Sequence, residues 1–205
     1  MTGVQTCALP ISLVGFNHQG VSHLSGISSL LGVEAASGNL AAASHLLSIL
    51  LSFMLGAAIS GFTIGNTSLK LGRRYGAALL LEAALLLLAL HFLKQGASSG
   101  HYLAATACGL QNAMTSSYSG AVVRTTHVTG MFTDISIMIG LWFRGQRADK
   151  RRLALYSILI TGFIAGGILG ALFFNYIHFN ALALPAFLAA LMAFIYFGYW
   201  LKQQA

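Results

Sequence analysis

Long apolar runs, separated by short polar or basic segments, dominate the chain. A bilayer core about 30 Å thick needs roughly 20 apolar residues per helical span. Four runs meet this length, and we predict spans at Ala42–Gly65, Tyr75–Leu93, Leu153–Tyr176 and Ala181–Leu201. A fifth run, His101–Tyr118, predicts a weaker span because its second half is polar. The pattern predicts an all-α, polytopic transmembrane helical bundle.

The composition favours a membrane protein over a very apolar soluble bundle. Of the 205 residues, 57% are hydrophobic and only 7% are charged, whereas a soluble domain is about 25% charged. Because so few charges cannot cover a surface exposed to water, we expect much of the surface to face lipid.

The net charge of +7 raises the possibility of a nucleic-acid partner, which the distribution of the charges argues against. The basic residues sit in short clusters between apolar runs, chiefly Lys70–Arg74 and Arg144–Arg152. Such clusters are typical of cytoplasmic loops of membrane proteins. We therefore predict a multi-pass protein of the bacterial inner membrane, with a cytoplasmic C-terminus, the lipid bilayer as partner and no nucleic acid.

The first eleven residues, Met1–Ile11, resemble the translation of a short sequencing adapter. We interpret them as a scar at a truncated start, with a degenerate signal peptide as the alternative. Setting Cys7 aside leaves Cys108 alone, so we expect no disulfide framework. The predicted organisation is a scar at residues 1–11, a first membrane repeat at 12–94 that lacks its first span, and a second repeat at 101–201.

The two predicted repeats share a short motif. Ser22–Gly26 has the pattern [ST]-H-[LV]-[ST]-G, which recurs at Thr126–Gly130, and Ser52–Gly56 parallels Gly162–Gly166 further along. If each unit holds three spans and one broken or re-entrant segment, the units have opposite topology. This inverted 3+3 repeat is the build of many secondary transporters.

The motif glycines, Gly26 and Gly130, predict breaks in the helices near the bilayer midplane, with half-helices that begin at Ile27 and Met131. Flanking Ser and Thr hydroxyls would cap the freed backbone groups. Helix N-termini at this depth would favour an anion or a polar ligand.

Three segments carry a resemblance to a known family: Gly15–Gly26, Gly109–Ala113 and Val123–Asp134. On these residues the chain resembles the YoaK family of bacterial polytopic inner-membrane proteins, a domain-of-unknown-function family. The resemblance covers about Phe16 to Trp200. It implies a membrane protein and brings no activity with it.

Several ionisable residues could carry function inside the membrane. His23 and His127 occupy equivalent motif positions and could relay protons or coordinate a cation. Alternatively, each could only cap a neighbouring helix end or hydrogen-bond a backbone carbonyl at the break. Asp134 is a candidate proton or cation site, with Arg124 as partner, or the two could form a structural ion pair. Glu82 could face a cavity that it shares with these residues, or its side chain could extend to the cytoplasmic interface.

Uncharged residues complete the set of candidates. Gln111 and Asn112 could bind a polar substrate or hold helices together. Gly162, Gly166 and Gly170 form a stripe that Gly56 and Ser60 echo, and such stripes allow helices to pack closely.

The leading hypothesis is a secondary transporter or exporter of an unknown small molecule. A non-transporting assembly or interaction protein is the alternative. A membrane enzyme ranks third because no catalytic constellation is visible, so we predict no enzymatic activity. The sequence gives no sign of a cofactor or a metal site, and a homo-oligomer is possible.

Overall fold

The computed structural model describes residues 21–64, 73–118, 128–147 and 149–204, and every structural statement below refers to these. They form helices without strands, as the hydrophobic pattern predicts. The helices are α1 (Leu24–Ala36), α2 (Leu40–Ile64), α3 (Arg73–Lys94), α4 (Ser99–Tyr118), α5 (Val128–Phe143), α6 (Lys150–Ile177) and α7 (Ala183–Gln204), with a 3-10 turn (His178–Leu182) between α6 and α7.

Three helical stretches are long and apolar enough, by length and composition, to cross a membrane. They are Leu40–Ile64, Arg74–Lys94 and the 52-residue stretch Lys150–Leu201, which contains both α6 and α7. The surface agrees with this assignment, since Phe62 is 92% exposed and Tyr176 is 81% exposed. Aromatic and aliphatic side chains in such numbers on the outside of spanning helices are suited to lipid rather than water. The prediction of a polytopic helical bundle is confirmed.

Helix α4 is the centre of the bundle, and its position explains its weaker apolar signal. It packs against α2 on one side and α3 on another, and α3 in turn packs against α7. Ala105, Leu110 and Met114 of α4 have no exposed surface at all. Because neighbouring helices cover it, α4 can carry polar residues that a lipid-facing helix of the same length could not.

Helices α2 and α4 run parallel and touch backbone to backbone. His45 near the start of α2 meets His101 near the start of α4, and Gly56 further along α2 lies against Thr106 and Leu110. A Cβ atom on Gly56 would overlap the Thr106 carbonyl, and one on Gly109 would overlap the Phe53 carbonyl. Only glycine permits this approach.

The predicted glycine stripes are confirmed in part. Gly56 and Ser60 of α2 are buried at the crossing with α4, and Gly166 and Gly170 are buried in α6. Gly162, however, has open space where a Cβ would stand. The expectation that it allows a close approach is wrong for the described part of the chain, where no atom lies within 4 Å of that position.

Three of the connections between helices contain a glycine in a tight turn. Gly38 and Gly96 have positive φ angles of 79° and 71° and end α1 and α3, and Gly145 with φ 80° follows α5. At the fourth, His178 has a φ of 49° and ends α6. Asp149 begins α6 by accepting hydrogen bonds from the backbone N–H groups of Arg151 and Arg152.

Candidate functional site

The histidine motifs stand immediately before two short helices. Helix α1 begins at Leu24, directly after His23, and α5 begins at Val128, at the corresponding position of the second motif. Gly26 and Gly130 therefore lie within α1 and α5 and do not break these helices. The predicted starts at Ile27 and Met131 are wrong, since one glycine costs a helix only about 1 kcal/mol relative to alanine.

The start of α1 also differs from the expected hydroxyl cap. The His23 carbonyl accepts the first helical hydrogen bond, from the Ile27 N–H at 3.0 Å, but the His23 side chain caps nothing. Ser22 is only 6% exposed, and its hydroxyl has no hydrogen-bond partner among the described residues. The expected Ser cap is therefore absent at the start of α1.

A cavity lies where the two motifs meet and has a volume of about 400 Å³. It is lined by Ser22, His23, Leu24 and Ser25 of the first motif, Val128 and Thr129 of the second, Phe53 of α2 and Asn112 of α4. Phe53 and Asn112 each lie thirteen residues into their parallel helices, or about 20 Å at 1.5 Å per residue. The cavity is therefore at membrane depth.

A phenylalanine of α6 also reaches the first motif. The rings of His23 and Phe163 stand edge to face with their centres 6.2 Å apart. Phe163 is the counterpart of Phe53 in the alignment of the two repeats, and Phe53 lines the same cavity. Phe163 from the second half of the chain thus contacts the first motif, and Phe53 lines the cavity that the two motifs share.

The family model described as "Protein of unknown function (DUF1275)" matches residues 10–195. The chain belongs to this family. No curated protein and no solved structure matches it. The narrower resemblance to the YoaK family stays a prediction.

Two candidates of this DUF1275 chain, Arg124 and His127, lie outside the described residues. The predicted joint role of His23 and His127 and the predicted Arg124–Asp134 pair are untested for this reason. Asp134 itself is exposed on α5, in a part of the helix that packs near Tyr156 of α6. It stands six residues after Val128, the first described residue of α5.

Glu82 and Gln111 are two further polar residues buried inside the helix bundle, and neither lines the cavity. Each side chain is 2% exposed. Glu82 Oε2 and Gln111 Nε2 have no hydrogen-bond partner among the described residues. Glu82 therefore does not reach the cytoplasmic interface, which was one of its two predicted positions, and it does not line the cavity either.

The antiparallel packing of α3 and α4 places Glu82 and Gln111 at one depth. Leu93 near the end of α3 packs on Gly100 at the start of α4. Glu82 and Gln111 each stand eleven residues from that contact, which is about 16 Å along a helix. In a bilayer core about 30 Å thick, this depth is close to the midplane.

Three side-chain rings joined by hydrogen bonds connect the starts of α2 and α4, and no pattern in the sequence points to them. The Tyr102 hydroxyl is 2.9 Å from His45 Nδ1, and His45 Nε2 is 3.2 Å from His101 Nδ1. These residues are 56 and 57 positions apart, in helices that meet only in the folded bundle. Only the parallel register of α2 and α4 would have indicated it.

The hydrogen-bonded cluster of His45, His101 and Tyr102 gives a prediction about stability. His45→Ala removes both hydrogen bonds, at about 1 kcal/mol each, and we expect the free energy of unfolding to fall by about 2 kcal/mol. Tyr102→Phe should cost less, and the double variant should be less destabilised than the sum, because the residues share one interaction. Denaturant unfolding in detergent measures all three. His91→Ala is the control, since His91 is exposed and bonds only to Gln95 of its own segment. Additive losses would contradict the cluster.

No three His, Cys, Asp or Glu side chains in the described part of the chain are close enough to share a metal ion. Cys108 is buried in α4 with a free thiol. The chemistry that the described site offers is therefore that of hydroxyl, amide, imidazole and helix N-terminal N–H groups.

Proposed function

We propose that this DUF1275 protein is a secondary transporter or exporter of a small molecule, and that the cavity between the two motifs is its substrate site. The observation that carries this proposal is the polar cavity at membrane depth, lined by Ser22, His23 and Asn112. A purely structural role for the motifs predicts dry packing at this point. A cavity loses packing contacts between side chains, so its presence is better explained by a ligand that occupies it.

The inverted 3+3 repeat is part of the proposal. Its support is that residues of both motifs, Leu24 and Ser25 of the first and Val128 and Thr129 of the second, line one cavity. Phe53, which aligns with Phe163, lines the same cavity, and Phe163 contacts His23. In such transporters the site lies at the interface of the repeats, where one half can rock against the other.

The proposed orientation follows from the basic loops. We place the turn after α5 in the cytoplasm and the turns at Ser98 and Phe179 outside, with the C-terminus cytoplasmic and the protein in the bacterial inner membrane. Single cysteines in a background without Cys7 and Cys108 test this in whole cells. An impermeant maleimide should label S98C and F179C, and should label Q146C only after permeabilisation. Labelling of Q146C from outside would reverse the orientation.

The second candidate function is a membrane assembly protein without transport. Its support is the large apolar surface of α5 and α6, where Trp142, Phe143 and Ile158 are more than half exposed. Such a surface serves a helical partner or a second copy of the chain as well as it serves lipid. Under this alternative Glu82 and Gln111 are architectural.

Flux measurements on the purified, full-length chain in proteoliposomes distinguish the two functions. We expect one class in a panel of labelled amino acids, carboxylates, sugars and inorganic ions to exchange across the membrane, with and without a proton gradient. His23→Ala should slow that flux at least tenfold, whereas His91→Ala, on the exposed face of α3, should not change it. Flux of no compound above that of empty liposomes would favour the assembly function.

A further inference from the structure

We infer that a basic cavity at the turn between α5 and α6 binds the phosphate of an anionic phospholipid, whose acyl chains lie along the exposed apolar side of α5. The cavity has a volume of about 560 Å³ and is lined by Trp142, Gly145, Gln146, Arg147 and Lys150. It shares no residue with the cavity between the two motifs. The inference therefore does not depend on transport.

A glycine turn at the end of α5 builds this cavity. Gly145 has a φ of 80°, which glycine adopts without steric cost. Its N–H donates to the Trp142 carbonyl at 2.9 Å, and the Gln146 N–H donates to the Leu141 carbonyl at 3.1 Å. These two bonds form a Schellman motif, which ends the helix and redirects the chain. Trp142 and the residues after the turn consequently line one space, and nothing lies within 4 Å of the position that a Cβ of Gly145 would take.

Two cations of the cavity are available to an anion. The residues that line it include Arg147 and Lys150 and no carboxylate. The adjacent Asp149 is engaged elsewhere, since its Oδ1 accepts hydrogen bonds from the backbone N–H groups of Arg151 and Arg152 and its Oδ2 lies 3.8 Å from Arg152 Nε. Neither Arg147 nor Lys150 forms an ion pair within the described part of the chain. A guanidinium and an ammonium group are the usual partners of a phosphate.

The position of the cavity favours a lipid phosphate over a phosphate free in solution. Lys150 begins the long apolar stretch Lys150–Leu201, so the cavity lies where the apolar core of the membrane gives way to water. Beside it, Trp142 and Phe143 are 62% and 78% exposed, and aromatic residues are enriched at this boundary. Ile139, one turn earlier, is also exposed and can lie against acyl chains. Basic pockets at such positions bind anionic lipid headgroups.

The fluorescence of Trp142 tests this inference, because the chain has only two tryptophans. In the full-length Trp200→Phe variant, reconstituted in phosphatidylcholine vesicles, Trp142 is the only fluorescent indole. Bromine atoms on acyl chains quench an indole that they contact. At equal small fractions of brominated lipid, we expect phosphatidylglycerol to bind beside Trp142 about tenfold more tightly than phosphatidylcholine, and added salt should reduce the difference. Equal quenching by the two lipids would overturn the inference.

A matched pair of double variants separates the cavity from the general charge of the turn. Arg147→Gln with Lys150→Gln removes both cations that line the cavity and should abolish the preference for phosphatidylglycerol. Arg144→Gln with Arg151→Gln removes the same charge from the same turn, but neither residue lines the cavity, so the preference should remain. All four side chains are exposed, and both variants should unfold at the temperature of the parent protein. An equal loss of preference in the two variants would refute a specific site.

Glycerol phosphate, which has the phosphate of the lipid without its acyl chains, distinguishes the two sources of phosphate. At a concentration equal to that of brominated phosphatidylglycerol, it should not restore the fluorescence of Trp142, because it gains nothing from the apolar side of α5. If it displaces the lipid at that concentration, the ligand is a free phosphate and the lipid is refuted. Loss of the lipid preference tests this site alone, whereas absence of flux tests transport alone.

Discussion

Replacing Gly109 with alanine is expected to remove about 3 kcal/mol or more from the free energy of unfolding. The added Cβ would overlap the Phe53 carbonyl and lie 2.8 Å from its carbon. Overpacking a core by one carbon costs about 1–3 kcal/mol when side chains can adjust. Here the obstacle is the backbone of α2, so the two helices must separate, and the loss should reach or exceed the top of that range. Gly56→Ala meets the Thr106 carbonyl and should behave alike.

The control substitutions are expected to change the free energy of unfolding in the opposite direction. Gly61 on α2 and Gly162 on α6 have open space at the Cβ position. Alanine there should stabilise its helix by up to about 1 kcal/mol, which is the difference in helix propensity. Thermal unfolding and the monodisperse fraction on size-exclusion chromatography measure both groups of variants. If Gly109→Ala unfolds at the same temperature as Gly61→Ala, α2 and α4 do not approach as described.

The apolar pattern predicted the spanning helices closely because burial in lipid leaves a direct mark on the sequence. Ala42–Gly65 and Tyr75–Leu93 correspond to Leu40–Ile64 and Arg73–Lys94. The central helix α4 gave a weaker signal for a physical reason, since other helices rather than lipid surround it. The partner of Gly56 could not be read from the chain, because it depends on the register of two helices.

The candidate site was predicted less completely than the fold. The repeat of the motif indicated that Ser22–Ser25 and Thr129 share a site, and they line one cavity. The helix starts were wrong because glycine weakens a helix without ending it, so a motif glycine is a poor marker of a boundary. The contribution of Phe163 and the chain from His45 to His101 depend on contacts between distant segments. No pattern of neighbouring residues encodes these.

Glu82 is the residue whose substitution should separate stability from transport. Its side chain is 2% exposed, near the midplane of the bundle, with one carboxyl oxygen that has no partner in the described chain. The only ion pair among the described residues joins Asp149 and Arg152 at the surface. An ionised side chain at the bilayer centre costs at least about 2.5–3.5 kcal/mol. A protein under no functional demand would gain by replacing it.

We therefore expect Glu82→Gln to unfold at the same temperature as the parent protein or a higher one, since glutamine keeps the shape and loses the charge. If Glu82 carries a coupling proton, the flux that a proton gradient drives should fall at least tenfold in the same variant. Exchange without a gradient should be unchanged. Glu34→Gln is the matched control, because Glu34 lies in the last turn of α1, where its carboxylate accepts a hydrogen bond from the Asn39 side chain. If Glu82→Gln is less stable and its gradient-driven flux is unchanged, Glu82 is a structural residue. A coupling site that loses its ionisable group can no longer use the proton gradient, so unchanged flux would contradict a coupling role.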